Sequence, residues 1–291
     1  CYKSSDYLSF GRINRLYLKL FIRIFVLMKN AMLLTALLWT LLTAMTPAPG
    51  HDVDVALLGD SNTNIGGDDC SRPVAWSKWF VDSFAPRSCR SFARSGATWT
   101  NTPRTQLNTD EYIEIIGDNN VIYNQTRRLI DAVDAGTAPR PDIIIIGAGT
   151  NDAWFLRLRP GALSRRVADV DTAALMSREI SSLTSLAESV IYNCQLLRKH
   201  FPAARIILLT PHQTIKAPLG RITAVSDIIT DAGVQLGLDV IRQDRESGIV
   251  AADEKRKFVM TSDGTHTSEH GARHVGRLIA DRVARLIETT P

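Results

Sequence analysis

Four consecutive isoleucines, Ile143–Ile146, stand between Pro141 and Gly147. A short, unbroken apolar run bounded by turn residues is the pattern of a strand buried on both faces. The same pattern recurs in "ARIILLTP", Ala204–Pro211, and more briefly at Val53–Leu58. Ser91–Arg94 and Leu238–Ile241 read as two further, weaker strands. Between them the apolar positions recur at helical spacing. The pattern predicts helices over Trp76–Phe84, stopping before Pro86, over Val121–Val133 and over Ile222–Leu236. It predicts one long helix over Thr172–His200. A closing amphipathic helix over Thr267–Glu288 sets Val275, Leu278, Ile279, Val283 and Leu286 on one side. Residues 97–120, rich in Thr and Asn, read as a long polar loop.

Strands that alternate with helices imply right-handed crossovers and a parallel sheet covered on both faces, an α/β fold. In such sheets ligands bind beyond the carboxyl ends of the strands. Two loops leave those ends with chemistry in them. "GDSN" follows the first strand, and "GAGTND" follows the isoleucine strand.

Composition places the chain among ordinary globular proteins, with 291 residues, 45% hydrophobic and 22% charged. Its formal charge of +4 is unevenly placed. Residues 1–50 hold Lys3, Arg12, Arg15, Lys19, Arg23 and Lys29 against the single acid Asp6. The remainder is close to neutral, which argues against a nucleic-acid-binding face. Met28-Lys29-Asn30 precedes the apolar run "AMLLTALLWTLLTAM" and the exit "TPAPG". This order predicts a secretory signal peptide starting at Met28 and cut near residue 47, with residues 1–27 as upstream sequence. The alternative is a membrane anchor extended by "LYLKLFIRIFVLM", although Lys19 and Arg23 interrupt it. The domain reading is therefore residues 1–50 as upstream segment plus leader, and 51–291 as one enzyme-sized domain. Three cysteines follow the leader: Cys70, Cys89 and Cys194. At most one internal disulfide can form, with Cys70 and Cys89 the more plausible pair. No cysteine or histidine spacing reads as a zinc site.

Acyl transfer by serine needs a nucleophile, a base, a group that orients the base, and donors for the oxyanion. Ser61 in "GDSN" stands just past the first strand, where Gly59 allows a sharp turn. His266 in "DGTH" follows Asp263 by three residues, a spacing that lets the carboxylate reach one ring nitrogen and leaves the other for a serine. Asn151 in "GTND" offers a side-chain amide, and Gly96 in "SGATW" an unshielded backbone N–H. Each has a plainer reading as a turn or capping residue. His270 and His274 read as helix-surface residues. Asp60 and Asp152 read as loop anchors through side-chain-to-backbone hydrogen bonds.

Taken in order, "GDSN", "SGATW", "GTND" and "DGTH" resemble the four blocks of the GDSL/SGNH hydrolase family, over roughly residues 53–288. Asn62 stands where the family's namesake block has leucine. The resemblance implies a three-layer α/β/α sandwich with a five-stranded parallel sheet, of flavodoxin-like type. It implies ester hydrolysis through an acyl-enzyme without metal or cofactor. Ser61, Asp263 and His266 would be the triad, with Ser61 N–H, Gly96 N–H and the Asn151 amide as oxyanion donors.

The substrate is less legible. Trp99 and Trp154 are candidate platforms for sugar rings, with core packing as the plainer reading. Thr98, Thr100, Asn101 and Thr102 are candidates for the same rim, and Phe155, Arg157 and Arg159 follow the third block. No long apolar lid is evident. The expectation is an exported enzyme that removes O-acetyl groups from carbohydrates. Alternatives are a short-chain or lysophospholipid esterase and, in another class, a non-catalytic glycan-binding module. A small-molecule or glycan ester is the expected partner, with no nucleic acid and no stable membrane insertion once a leader is removed.

Overall fold

The computed structural model describes residues 25, 27–32, 35, 50–110 and 114–288. The chain divides into Cys1–Ala48 and Pro49–Pro291. The expected leader and its cleavage site fall mostly outside the described residues. Among the described residues no helix is long and apolar enough to cross a membrane.

The second unit holds five parallel strands: β1 (His51–Gly59), β2 (Pro86–Ser91), β3 (Ile143–Gly147), β4 (Arg205–Leu209) and β5 (Asp239–Ile241). Their order across the sheet is β2-β1-β3-β4-β5, the flavodoxin-like arrangement. Register sets Leu57 beside Ser91 on one side and beside Ile145 on the other. Because side chains alternate faces along a strand, each apolar run feeds two cores. Ala56, Leu58, Ile144, Ile146, Ile206 and Leu208 meet α3 (Ile122–Asp134), α6 (Leu186–His200) and α7 (Leu219–Leu236) on one face. Val55, Leu57, Ile143, Ile145, Ile207 and Leu209 meet α2 (Trp76–Phe84) and α10 (Glu269–Glu288) on the other. Each buried isoleucine of β3 contributes about 2 kcal/mol, an upper value for area removed from water. This is the three-layer α/β/α sandwich with a five-stranded parallel sheet that the resemblance implied.

The predicted helix over Thr172–His200 is broken. Asp171 caps a single turn, α5 (Thr172–Leu175), accepting hydrogen bonds from the N–H groups of Ala173 and Ala174. A 3₁₀ turn follows at Ile180–Ser182. Ser185 and Glu188 then form a reciprocal capping box that starts α6 afresh. The second strand runs over Pro86–Ser91 rather than Ser91–Arg94. The track along β1 nevertheless continues, since Phe92 N–H donates to Leu57 O at 2.8 Å and Arg94 N–H to Gly59 O at 3.1 Å. Four short helices were not expected: α1 (Ser61–Asn64), α4 (Thr150–Trp154), α8 (Gln243–Glu246) and α9 (Ala251–Glu254). One turn is too short to show a hydrophobic period.

Candidate active site

The carboxyl ends of β1 and β3 approach each other where the site begins. A Cβ on Gly59 would lie 2.4 Å from Gly147 O and 2.8 Å from Thr63 Oγ1. Glycine is therefore required there by close backbone approach rather than by a left-handed turn. Gln125 of α3 grips the same residue twice: Gly59 N–H donates to its Oε1, and its Nε2 donates to Gly59 O, both at 2.8 Å. With the strand end held, Asp60 caps α1 by accepting from Asn62 N–H at 3.0 Å. Ser61 is the first residue of that helix and is 9% exposed.

His266 reaches Ser61 from the far end of the chain. Its Nδ1–H donates to Asp263 Oδ2 at 2.8 Å. That bond fixes the tautomer and leaves Nε2 to accept the Ser61 hydroxyl at 2.9 Å. Asp263 Oδ1 also accepts the backbone N–H groups of Thr265, at 2.9 Å, and His266, at 2.8 Å. Burial works to raise the pKa of Asp263. The bonds from His266 and Thr265 outweigh it and hold the carboxyl below the usual carboxylate range. Asp263 therefore stays ionised opposite the imidazole. His212 steadies this loop from the segment after β4, its Nε2–H donating to Thr265 O at 2.8 Å. Burial lowers the basicity of His212, a shift partly offset by that carbonyl.

The three sequence candidates for oxyanion donors lie on adjoining segments. Among the described residues, the N–H groups of Ser61 and Gly96 donate to no protein acceptor. Gly96 has φ +81°, and a Cβ there would meet Ile115 Cα at 2.8 Å. Asn151, in α4, is 4% exposed, and one hydrogen of its amide goes to Ala97 O at 2.9 Å. The second hydrogen of that NH₂ group remains for an oxygen in the cleft. Asn64 joins the Ser61 helix to the Gly96 loop. Its Nδ2 donates to Ala93 O at 3.0 Å, and its Oδ1 accepts from the Ser95 hydroxyl at 2.8 Å. Asp152 accepts the N–H groups of Trp99 and Thr100, both at 3.0 Å, so it anchors a loop.

Trp99 is not a substrate platform. It is fully buried and packs with Leu58, Ile122 and Ile146. The turn held by Asp152 directs it inward. Thr98, Thr100 and Asn101 are also buried rather than on the rim. Trp154 is partly exposed, stacks on Phe155 with centroids 4.6 Å apart, and has Lys216 Nζ 6.0 Å from its ring. Arg159 is buried and serves the backbone, donating to Gly117 O at 3.0 Å and Ile116 O at 3.3 Å. It thereby fixes the loop that packs on Gly96. His270 and His274 are exposed on α10. Gln125, Asn64 and His212 were not singled out from sequence. Gln125 carries the one signal, a polar residue on the buried face of its helix; Asn64, in a one-turn helix, and His212, past the end of β4, carry none.

Asp60 is nearly inaccessible, and burial pushes its pKa up to about 6, against the stabilising Asn62 N–H. Behind it, Asn62, Thr150, Thr210 and His212 line a cavity of about 20 Å³, the size of one water. Both polar atoms of the Asn62 amide lack a protein partner among the described residues. Two larger pockets flank the site. One of about 460 Å³ lies against the Gly96 side, lined by Thr102, Arg104, Ile116, Asp118 and Arg159. The other, about 600 Å³, lies beside the His266 loop, with Ile215, Lys216, Leu219, Val250 and Lys255 in its wall.

No family model and no curated relative matches the chain. Solved structures do. A protein from Lactobacillus plantarum shares 16% identity at TM-score 0.54, covering 83% of this chain and 99% of its own. A protein from Chitinophaga pinensis described as a possible lipase shares 14% at TM-score 0.52, with 82% and 100% coverage. A Bacteroides uniformis protein described as a GDSL-like lipase shares 17% at TM-score 0.51, with 80% and 96% coverage. The chain has the GDSL/SGNH hydrolase fold. On this fold the four sequence blocks, spread from Ser61 to His266, come together beyond the carboxyl ends of β1 and β3.

Proposed function

We propose that this chain is a serine carboxylic ester hydrolase that removes O-acetyl groups from carbohydrates. The observation that carries the reading is the Ser61–His266–Asp263 chain of hydrogen bonds at 2.9 and 2.8 Å. His266 takes the Ser61 proton as Oγ attacks the ester carbonyl. The Ser61 and Gly96 N–H groups and the Asn151 amide receive the oxyanion. His266 then returns the proton to the leaving alcohol, and water repeats the cycle on the acyl-enzyme. The half-exposed Asp263 and the partly exposed His266 set the base at the surface of the protein, which supports a bulky polymer as substrate. The partly exposed Trp154–Phe155 stack next to Asn151 supports sugar binding. The apolar start after Met28 supports export, and the substrate is then an extracellular or periplasmic glycan.

A second reading, an esterase for longer acyl chains or lysophospholipids, is favoured by the apolar wall of Ile215, Ala217, Pro218, Leu219 and Val250 beside the His266 loop. One experiment separates the two. Acetate release from acetylated glycans is measured beside p-nitrophenyl acetate, butyrate and octanoate, with Ser61→Ala as control. Acetate release that disappears in the variant supports deacetylation. Turnover of octanoate alone supports the second reading. A folded protein inert on every ester rejects both.

A further inference from the structure

Cys70 and Cys89 are the only cysteines in the described residues that meet: their sulfurs lie 3.6 Å apart. Cys70 follows the nucleophile helix, in the loop after α1. Cys89 lies on β2, paired in register with Val55 of β1. Both side chains join the core formed with Trp76 and Phe80. Cys194 is buried against the opposite face of the sheet, among the residues of α6, so it competes for neither. Cys70 is also one of three non-glycine residues with positive φ among the described residues, at 58°. A β-carbon there costs about 1–2 kcal/mol relative to glycine. The backbone bond from Cys70 N–H to Gly67 O, 3.1 Å, helps hold it in place.

We propose that Cys70 and Cys89 are joined as a disulfide in the mature protein, tying the segment after the Ser61 helix to the strand that leads into the Gly96 loop. The two segments are already in contact through Ser91 N–H on Asp68 O at 2.8 Å and Arg94 on Asp68 Oδ1 at 2.9 Å. Closing the bond brings the sulfurs about 1.5 Å nearer, to the usual ~2.05 Å, a movement within side-chain reach. The oxidant is a small or protein disulfide such as oxidised glutathione. One cysteine thiolate attacks it, forms a mixed disulfide and releases one glutathione thiol. The second cysteine thiolate displaces the other glutathione thiol. Two protons and two electrons pass from the cysteine pair to the glutathione pair. Contact with Cys70 and burial push the Cys89 thiol well above its ordinary range. Exchange therefore belongs to folding, before the site closes.

The bond spans 19 residues of sequence. A loop of this length raises Tm by roughly 6–12 °C for a domain of this size. The test uses the full chain refolded in a glutathione redox buffer, alkylated without reductant and mapped by mass spectrometry. A Cys70 peptide joined to a Cys89 peptide is expected, with Cys194 alkylated only after denaturation. Reductant, Cys70→Ser and Cys89→Ser are each expected to lower Tm by the same amount, and the double variant no further. Complete alkylation of Cys70 and Cys89 without reductant, or a bond from either to Cys194, overturns the proposal. The wild-type map decides the matter even if a serine variant fails to fold.

Discussion

Asp263→Asn separates two jobs that one carboxylate performs. Oδ1 holds the loop through the N–H groups of Thr265 and His266, and Oδ2 orients the imidazole. An asparagine keeps the first job, because its carbonyl still accepts both backbone donors. It fails the second, because an NH₂ group faces Nδ1 and favours the tautomer with hydrogen on Nε2. That tautomer cannot accept the Ser61 proton. Reversing the tautomer in a serine triad costs about 10⁴-fold in kcat, or roughly 5.5 kcal/mol of barrier. Tm should change little, since the loop bonds survive. Asp263→Ala removes both jobs, so it should lower kcat and Tm together. The assay is kcat on p-nitrophenyl acetate beside thermal unfolding of both variants. A loss of less than tenfold in Asp263→Asn would refute the reasoning, because the ring would then be oriented by something other than Asp263.

Three further outcomes follow from the same geometry. Asn151→Ala should lower kcat by about 10²–10³ with little change in KM, as for loss of one oxyanion donor; an unchanged kcat removes Asn151 from the site. Asp60 has its pKa raised to about 6 in the fold, against 3.8 ordinarily. Its stabilising contribution is thus present below about pH 4 and is lost as pH rises through 6. Asp60→Asn should accordingly gain up to about 3 kcal/mol on the wild type between pH 4 and pH 8 in urea unfolding; parallel curves would show that Asp60 is not the titrating group. Gly59→Ala sets a Cβ 2.4 Å from Gly147 O, so it should destabilise the fold by about 1–3 kcal/mol and lower activity by shifting Ser61. Unchanged stability would mean that β1 and β3 can separate there without penalty.

What the sequence made legible was local. The isoleucine run and its counterpart at β4 declare buried strands because a parallel sheet is covered on both faces. Trp76–Phe84 carries its own period and stops before a proline. The four short blocks were legible because each sets glycine or small polar residues around a group able to do chemistry: Ser61, the Gly96 N–H, the Asn151 amide, and Asp263 with His266. What stayed hidden depends on distant partners. Nothing near Trp99 announces that Asp152, 53 residues away, turns its ring into the core. Gln125 reads as an ordinary helix residue until its amide is seen gripping Gly59, 66 residues away. The break before Leu186 was locally encoded in Ser185 and Glu188, but the apolar spacing continued across it and masked the cap.

The most direct test of the central claim is covalent trapping of the nucleophile. A fluorophosphonate is incubated with the native protein, and the modified residue is located by peptide mass spectrometry. One equivalent bound at Ser61, with labelling slowed by orders of magnitude in His266→Ala, is the predicted result. No labelling of the folded protein, or labelling at another serine, would contradict the account.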